Sequence, residues 1–277
     1  MHQITVAVVQ MYPLLGKIEE NLIAMGKFMD EICTKQKVDL IVFPELATTG
    51  YELGLRFTEM AERVPGHTIN LLAQRAADYS THVVFGLVTK ERVESILYNS
   101  AVLIGPDGEF LGEYRKLHLP GEERLAFRPG YRLPVFETTF GPVGILLGWD
   151  LAFPEAARSL ALDSAELLCV CANWGHSPAQ ERELFVEEWR TYVQARALEN
   201  SIYVIASNRI GEEYSYRFFG DSMVVGPRGE VYTSIDEEIE GYAVATIDLD
   251  YVRKVREELQ LIQCRSPQAY RAIVRRY

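Results

Sequence analysis

Two side chains combine an ionisable group with a position at which enzymes often form sites. Glu45 closely follows the apolar stretch 40–43, which predicts a carboxylate at the carboxyl end of a strand, where open α/β sheets usually form sites. Lys116 alternates with Tyr114 and His118, so an extended segment would send all three side chains to one face. A preorganised ammonium can stabilise a developing oxyanion. Taken singly, a surface glutamate and a solvated lysine are simpler explanations.

Gly148 lies where the apolar stretch 143–147 gives way to a predicted helix that begins at Pro154, a favoured first helical residue. Such strand-to-helix elbows can hold a residue in a sparsely populated backbone conformation, which glycine adopts without strain. Glycine has no side chain, so it cannot form a covalent intermediate with a substrate. We therefore expect the fold to tolerate this residue.

Apolar stretches bounded by turn residues predict the strands that position these groups. The predicted strands are 4–9, 40–43, 83–88, 101–104, 143–147, 167–171, 202–206 and 223–225. The predicted helices are 18–36, 68–79, 154–163 and 183–200. This alternation predicts an α/β fold with helices covering sheets. Turn signals at 106–108 and 227–229 predict hairpins between strands.

Composition narrows the possible functions. The 277 residues are 48% hydrophobic and show no linker or repeat, so we expect one domain, 1–277, with a sizeable core. The formal net charge of −11 argues against an electrostatic nucleic-acid binder. No apolar stretch approaches the roughly 20 residues that span a bilayer, and the first residues lack the basic flank of a signal peptide. We expect neither nucleic acid nor a membrane as a partner.

The cysteines predict a reducing compartment. Four are present, and their spacing matches neither a disulfide framework nor a zinc site. A cytoplasmic location is the simplest interpretation, and no metal site is expected.

Three segments together resemble the catalytic motifs of the nitrilase superfamily of carbon-nitrogen hydrolases. They are Phe-Pro-Glu-Leu at 43–46, Tyr-Arg-Lys-Leu-His-Leu at 114–119 and Gly-Trp-Asp-Leu-Ala-Phe-Pro-Glu at 148–155. Further segments that resemble the family, in the same order, are 123–130, 173–174, 189–208, 220–222, 227–229, 248–249 and 253–256. Because the segments extend over almost the whole chain, the resemblance implies the family's fold, a four-layer αββα sandwich.

The resemblance also implies roles for the site residues. In this family a Glu accepts the proton of a Cys, which attacks an amide or nitrile carbon, and a Lys stabilises the tetrahedral intermediate. Glu45 and Lys116 match the Glu and the Lys. Glu123 matches a second glutamate that orients substrate and lysine, with Glu122 as the neighbouring alternative. Gly148 stands at the position of the Cys.

Residues beside these motifs are expected to form the substrate pocket. They are Tyr51, Trp149, Asn173 and Trp174. The Trp that follows position 148 favours the carbamoyl-amide and aliphatic-amide branches of the family. No metal or organic cofactor is expected, since side chains would supply attack, proton transfer and oxyanion stabilisation. The expected partner is a small amide or carbamoyl substrate.

Several functions remain open on these residues. The leading hypothesis is a carbon-nitrogen hydrolase scaffold for a small carboxamide or N-carbamoyl compound that is inactive, or traps substrate, because of Gly148. The alternatives are a non-catalytic ligand-binding or regulatory protein, and a nitrilase acting on a small nitrile. Cys171 or a water activated by Glu45 could replace the missing nucleophile, and that water could occupy the space left at Gly148. A natural loss of the Cys and an engineered one are both compatible with the sequence.

The resemblance implies a homo-oligomer, a dimer or larger. The tail 251–277 is rich in arginine and aromatic residues. It could pack on a partner subunit or form a solvated terminal helix.

Overall fold

The computed structural model describes residues 2–93 and 95–275, which form fifteen strands and seven α-helices. The strands are β1 (Gln3–Gln10), β2 (Leu40–Val42), β3 (His82–Lys90), β4 (Leu97–Ile104), β5 (Phe110–Arg115), β6 (Val135–Thr138), β7 (Gly141–Leu147), β8 (Leu167–Ala172), β9 (Gly175–His176), β10 (Tyr203–Asn208), β11 (Ile210–Glu212), β12 (Arg217–Phe219), β13 (Met223–Val225), β14 (Val231–Ser234) and β15 (Gly241–Asp248). The helices are α1 (Ile18–Lys35), α2 (Phe57–Met60), α3 (His67–Tyr79), α4 (Glu123–Ala126), α5 (Pro154–Leu162), α6 (Arg182–Asn200) and α7 (Asp250–Leu259). Short 3-10 helices cover Gly54–Arg56, Gly148–Ala152, Pro267–Ala269 and Arg271–Val274.

Two six-stranded sheets share one plan. The first has the order β15-β1-β2-β3-β4-β5 and the second β14-β13-β10-β8-β7-β6. In each sheet three neighbouring strands run parallel, β1-β2-β3 in the first and β7-β8-β10 in the second, and antiparallel strands flank them. A small third sheet has the order β11-β12-β9.

Helices connect the parallel strands and cover the outer faces of both sheets. Helices α1 and α3 pack together over the first sheet, whereas α5 and α6 pack over the second. The inner faces contact each other, with β1 against β10 and β3 against β8. The layers are therefore helix, sheet, sheet and helix, which confirms the predicted αββα sandwich.

The alternation of side chains along β1 shows how one strand serves two layers. Val6 and Val8 belong to the core shared with the second sheet, while Ala7 and Val9 pack in the cluster beneath α1 and α3. All four are fully buried. A strand buried on both faces explains why the segment reads as a continuous apolar stretch.

All eight predicted strands and all four predicted helices are present, with ends that differ by a few residues. Both turn signals connect antiparallel pairs, β4-β5 and β13-β14. No predicted apolar stretch corresponds to β5, β6, β9, β11, β12, β14 or β15, and for β14 and β15 the reason is exposure. Residues of β14 are mostly exposed and those of β15 mostly half-buried, so neither strand forms an apolar stretch.

The chain ends in a helix and an exposed segment. Val252 and Val255 of α7 are buried against the second-sheet side of the protein, whereas residues 266–275 are exposed. Packing of the tail 251–277 on a partner subunit stays a prediction, as does the single domain 1–277, and residues 276 and 277 lie outside the described part. Within that described part, no helix combines the length and hydrophobicity needed to cross a membrane.

Gly86 in β3 gives space to the backbone beside Glu45. A Cβ at Gly86 would lie 2.5 Å from the amide nitrogen of Leu46 and 2.6 Å from Glu45 Cα. We predict that Gly86→Ala displaces this turn and lowers the free energy of unfolding by about 1–3 kcal/mol, the usual cost of overpacking. Urea unfolding measures the effect. Gly241→Ala is the matched control, because open space surrounds that position, and equal stability of the two variants would contradict the prediction.

Candidate active site

The ends of parallel strands from both sheets meet at one place. Glu45 lies three residues beyond β2 of the first sheet, while Gly148 and Asn173 directly follow β7 and β8 of the second. Carboxyl ends of parallel strands are where open α/β sheets form sites. The predicted position of Glu45 at such an edge is thus what the structure shows.

A buried ammonium links two carboxylates at this place. Lys116 Nζ donates hydrogen bonds to Glu45 Oε1 at 2.7 Å and to Glu123 Oε1 at 2.8 Å. Asn99 Nδ2 donates to Glu45 Oε1 at 2.6 Å. The side chains of Lys116, Glu45 and Glu123 are only 2%, 1% and 4% exposed. Charges this deeply buried persist only when paired and hydrogen-bonded.

Glu123 is the glutamate of the pair 122–123 that reaches the site. It begins α4 and is buried, whereas Glu122 is exposed. Tyr51 donates its hydroxyl to Glu123 Oε1 at 3.1 Å. The Glu123 carboxylate therefore accepts one bond from Lys116 and one from a pocket tyrosine.

Burial and charge shift the ionisation of these groups. Burial disfavours the ammonium of Lys116, but the carboxylates of Glu123 and Glu45 outweigh it and raise the pKa of Lys116. Burial also raises the pKa of Glu123, to about 7, against the lowering influence of Lys116. The pKa of Tyr51 is raised mainly by burial, so its phenol stays protonated and can donate. Lysine thus remains charged, while Glu123 titrates near neutrality.

Gly148 has a positive φ of +35°, a conformation that residues with a side chain rarely adopt. A Cβ placed on it would overlap Glu45 Oε2 and lie 3.6 Å from Lys116 Nζ. Glu45 Oε2 is fixed there by the backbone N–H of Asn173, which donates to it at 3.1 Å. The Glu45 carboxylate thus occupies the position that a Cβ would take at Gly148, and the expected water beside it stays a prediction.

Asp150 ties the elbow to the segment that carries Lys116. Its fully buried carboxylate accepts hydrogen bonds from the Tyr114 hydroxyl at 2.6 Å and from the His118 backbone at 2.9 Å. The His118 ring also lies 2.7 Å from Asp150 Oδ1 and stacks on Phe153. Because Tyr114 and His118 flank Lys116 on the same face, both sides of the lysine are anchored.

A cavity of about 180 Å³ opens over these groups. The four predicted pocket residues, Tyr51, Trp149, Asn173 and Trp174, all line it. Trp149 stacks on Trp174 with ring centroids 5.6 Å apart. Both side-chain polar atoms of Asn173 and Nε1 of Trp174 are buried without a hydrogen-bond partner. Polar groups buried in this way are costly unless a ligand or water satisfies them.

The sequence patterns missed several residues of the site. Asn99 is the most important, because its amide also approaches Glu123 Oε2, at 3.4 Å. Its one signal was an Asn-Ser pair, 99–100, just before an apolar stretch. Tyr216 and Phe185 also line the cavity, although they lie far from the motifs in the sequence.

The structure does not favour Cys171 as a replacement nucleophile. Cys171 is fully buried, is not among the residues lining the cavity, and burial raises its pKa well above the usual value. A thiol of this kind is seldom ionised and reacts slowly. Within the described residues, no group of three His, Cys, Asp or Glu side chains is arranged to hold a metal ion.

A second buried ion pair supports the pocket loop that carries Tyr51. Arg209 and Glu213 pair with side chains that are 0% and 1% exposed. The Glu213 carboxylate also accepts the backbone N–H groups of Tyr51 at 3.0 Å and Glu52 at 2.6 Å. Arg209 in turn donates to the carbonyl of Pro13 at 3.1 Å. The loop is thus held by a charged group that no solvent reaches.

A family model described as carbon-nitrogen hydrolase matches residues 5–257. A protein of Schizosaccharomyces pombe named probable nitrilase is 38% identical, covering 97% of this chain and 98% of that protein. An N-carbamoylputrescine amidase of Arabidopsis thaliana is 34% identical over 66% of each chain. A carbon-nitrogen hydrolase structure from Helicobacter pylori aligns with a TM-score of 0.89 at 27% identity, covering 99% of each chain. The resemblance predicted from the motifs is confirmed.

Removal of the Glu213 carboxylate should destabilise the fold. Glu213→Ala leaves the Arg209 guanidinium buried without its partner, so we predict a loss of about 3–5 kcal/mol in the free energy of unfolding. The double variant Arg209→Met with Glu213→Leu should lie closer to the unchanged protein, because it buries no unpaired charge. Urea unfolding of both variants tests this. A single-variant loss below about 1 kcal/mol would show that the pair is not a support.

Titration of Glu123 should make stability depend on pH. Its pKa is raised from 4.5 to about 7 in the fold, so the protonated form is favoured and its contribution is complete below 4.5 and lost as pH rises through 7. Glu123→Gln does not titrate. We therefore predict that the unchanged protein loses stability relative to Glu123→Gln across this window, on the order of 1 kcal/mol per pKa unit.

Unfolding in urea at a series of pH values between 4 and 8 measures this difference. Glu122→Gln is the control, because that neighbouring side chain is exposed. Parallel stability curves for the unchanged protein and Glu123→Gln would contradict the assignment.

Proposed function

The chain belongs to the carbon-nitrogen hydrolase family, and we propose that its pocket binds a small carboxamide or N-carbamoyl compound without turning it over by a thiol route. One observation carries the proposal. The buried group of Glu45, Lys116 and Glu123 is complete and faces the elbow at Gly148, where no side chain can attack.

The proposed binding mode follows from the donors in the pocket. Lys116 directs an ammonium toward the space above Gly148, so a substrate carbonyl oxygen there would gain a charged hydrogen bond. The unpartnered side-chain amide of Asn173 would supply N–H donors from Nδ2 and an acceptor, Oδ1, to the amide or urea group. The stacked rings of Trp149 and Trp174 bound the apolar part of the ligand. Side chains thus supply each contact.

The absence of turnover follows from the chemistry of acyl transfer. A thiol at position 148 would attack the carbonyl carbon while Glu45 accepted its proton, and Lys116 would stabilise the oxyanion that forms. The C–N bond would then break, Glu45 would give its proton to the leaving amine, and the acyl group would remain on sulfur. Glycine stops this sequence before the first bond forms. Loss of a nucleophile from such a group of residues typically costs several orders of magnitude in rate.

A non-catalytic ligand-binding or regulatory role is the second candidate. It is supported by the Glu45 carboxylate, because Oε1 accepts from Lys116 and Asn99, while Oε2 accepts from Asn173. These three donors occupy most of the roughly four acceptor positions of the carboxylate, which leaves little room for it to take a proton from a water. Water-mediated hydrolysis by Glu45 is therefore the less favoured route to any activity.

The proposal also includes a reducing compartment and a homo-oligomer, each supported by one observation. All four cysteines are free, which fits a reducing compartment such as the cytoplasm. The tail exposes Ile273 and Val274, at 59% and 84%, which a partner subunit of a homo-oligomer could cover. Size-exclusion chromatography with light scattering tests the assembly.

Restoration of a thiol tests the proposed function. We predict that Gly148→Cys releases ammonia from at least one small amide or N-carbamoyl compound at least 100-fold faster than the unchanged chain, because a lost nucleophile typically costs far more than that. The panel also includes nitriles. A colorimetric ammonia assay measures release, and iodoacetamide should abolish it.

Gly148→Ala is the matched control, since it adds the same clash with Glu45 without a thiol. Both variants should lose about 1–2 kcal/mol of stability because position 148 has a positive φ. If Gly148→Cys folds and stays silent on every compound, the disabled-amidase proposal is wrong and the binding role is favoured. Activity of the unchanged chain that needs Glu45 and ignores iodoacetamide would favour the water route.

A further inference from the structure

A second cavity, of about 530 Å³, is formed in part by chain neighbours of the active-site residues. The residues that directly follow Lys116, Glu123 and Gly148 in the sequence all line it, namely Leu117, Arg124 and Trp149. Of these three, Trp149 alone also lines the first cavity, which opens over Lys116. Small-molecule sites usually have volumes of roughly 300–1,000 Å³. The second cavity is therefore large enough for a ligand of its own.

We name this cavity the basic groove and define it by the residues His118, Arg124, Phe127, Arg128, Trp149 and Phe153. The chain as a whole has a formal net charge of −11, yet none of the described residues that line the groove is acidic. Neither Arg124 nor Arg128 forms an ion pair with a carboxylate in the described part of the chain. Two guanidinium groups without a counterion at one place are the complement of an anion.

Arg124 is held so that its terminal nitrogens stay available. Its Nε donates to the backbone carbonyl of Leu119 at 2.7 Å, so the two Nη atoms are left for a ligand. The planar fork of a guanidinium matches a carboxylate or a phosphate through two parallel hydrogen bonds. Because the bond to Leu119 already restrains the side chain, binding of an anion would cost less conformational entropy.

His118 forms a fixed wall of the groove. Its Nδ1 lies 2.7 Å from Asp150 Oδ1, and its ring stacks on Phe153 with centroids 3.6 Å apart. A carboxylate can only accept, and Asp150 is fully buried, so Nδ1 is the nitrogen that carries the proton. The imidazole is thereby anchored at one edge and covered on one face. It contributes a flat surface, whereas the charge of the groove comes from the two arginines.

Aromatic side chains supply the apolar surface of the groove. Phe153 meets Trp149 edge to face with ring centroids 6.5 Å apart. Trp149 is 40% exposed, an unusual amount for the largest apolar side chain. An apolar ligand that covered this indole would gain free energy in proportion to the area removed from water. A ligand that matches the groove is therefore mostly apolar and carries one anionic group.

We infer that the basic groove binds a small molecule in which an aromatic body carries one anionic group, a carboxylate or a phosphate. The anion lies between Arg124 and Arg128, and the aromatic body lies against Trp149 and Phe153. The groove is a binding site separate from the pocket at Lys116, and the inference does not rest on the proposed function. Because Trp149 is a wall of the groove, its fluorescence reports a bound ligand.

Four probes of related shape test the ligand class on the unchanged chain. They are phenylacetate, phenyl phosphate, 2-phenylethanol and acetate. Tryptophan fluorescence titration at low salt should give phenylacetate a dissociation constant about fivefold lower than that of the neutral 2-phenylethanol, as partly exposed ion pairs contribute. Acetate should bind at least about tenfold more weakly than phenylacetate, because it buries no ring. The tighter of phenylacetate and phenyl phosphate identifies the preferred anionic group.

Charge-neutral variants locate the site. Arg124→Gln and Arg128→Gln should each weaken phenylacetate binding by about twofold to fivefold and leave 2-phenylethanol binding unchanged. Arg128→Gln disturbs no hydrogen bond of its side chain within the described residues, so it tests the site even if Arg124→Gln shifts the loop at Leu119. Arg132→Gln is the matched control, since that arginine is exposed and is not among the residues that line either cavity.

The outcomes separate this site from the pocket at Lys116. Anion binding that is equally strong in Arg124→Gln, Arg128→Gln and the unchanged chain would place the anion elsewhere and overturn the inference. Equal affinities for phenylacetate, phenyl phosphate and 2-phenylethanol would overturn it too, as would a lack of binding of both aromatic anions at millimolar concentration. None of these results bears on the proposed function, which the ammonia assay of Gly148→Cys tests separately.

Discussion

The ammonium of Lys116, buried between the carboxylates of Glu45 and Glu123, is the interaction on which the site depends. Removing three charges from water costs several kcal/mol per ion, and attraction offsets this only when geometry and hydrogen bonds are nearly complete. Well-packed apolar residues of similar volume would often be at least as stable. The group is therefore not explained by stability, and a requirement for charge at this point of the fold explains it better.

The two sheets share the construction of this site, and neither contains it alone. Glu45 and Asn99 come from the first sheet, while Gly148 and Asn173 come from the ends of strands in the second. The residues at both turns depart from ordinary backbone geometry, with φ of +48° at Leu46 and +35° at Gly148. Such conformations persist where the surroundings determine them fully. The core between the two sheets holds these conformations in place, because it fixes the distance between the two turns.

Much of this arrangement was predictable, and the parts that were not share a cause. Glu45, Lys116 and Gly148 were predicted because the motifs around them resemble those of the carbon-nitrogen hydrolase family, whereas their local patterns alone left simpler explanations open. Asn99 gave almost no local signal, because its side chain acts on Glu45, 54 positions earlier in the chain. The fold brings the Asn99 side chain to the site, so the spacing of residues along the sequence cannot show that it lies there. The exposed edge strands were missed for a related reason, because their pairing is decided by neighbours distant in sequence.

Glycine at the elbow leaves the group of charges intact and leaves room beside it for the Glu45 carboxylate. Glu45 Oε2 occupies the space a side chain would need, and there it gains a hydrogen bond from the Asn173 backbone. Hydrogen bonds to a charged group are worth about 1.5–3 kcal/mol, and a side chain at a positive φ costs roughly another 1–2 kcal/mol. A nucleophile at position 148 must therefore displace a bonded carboxylate and accept backbone strain. Glycine at position 148 favours the stability of the fold, whereas the thiol reaction requires a side chain there.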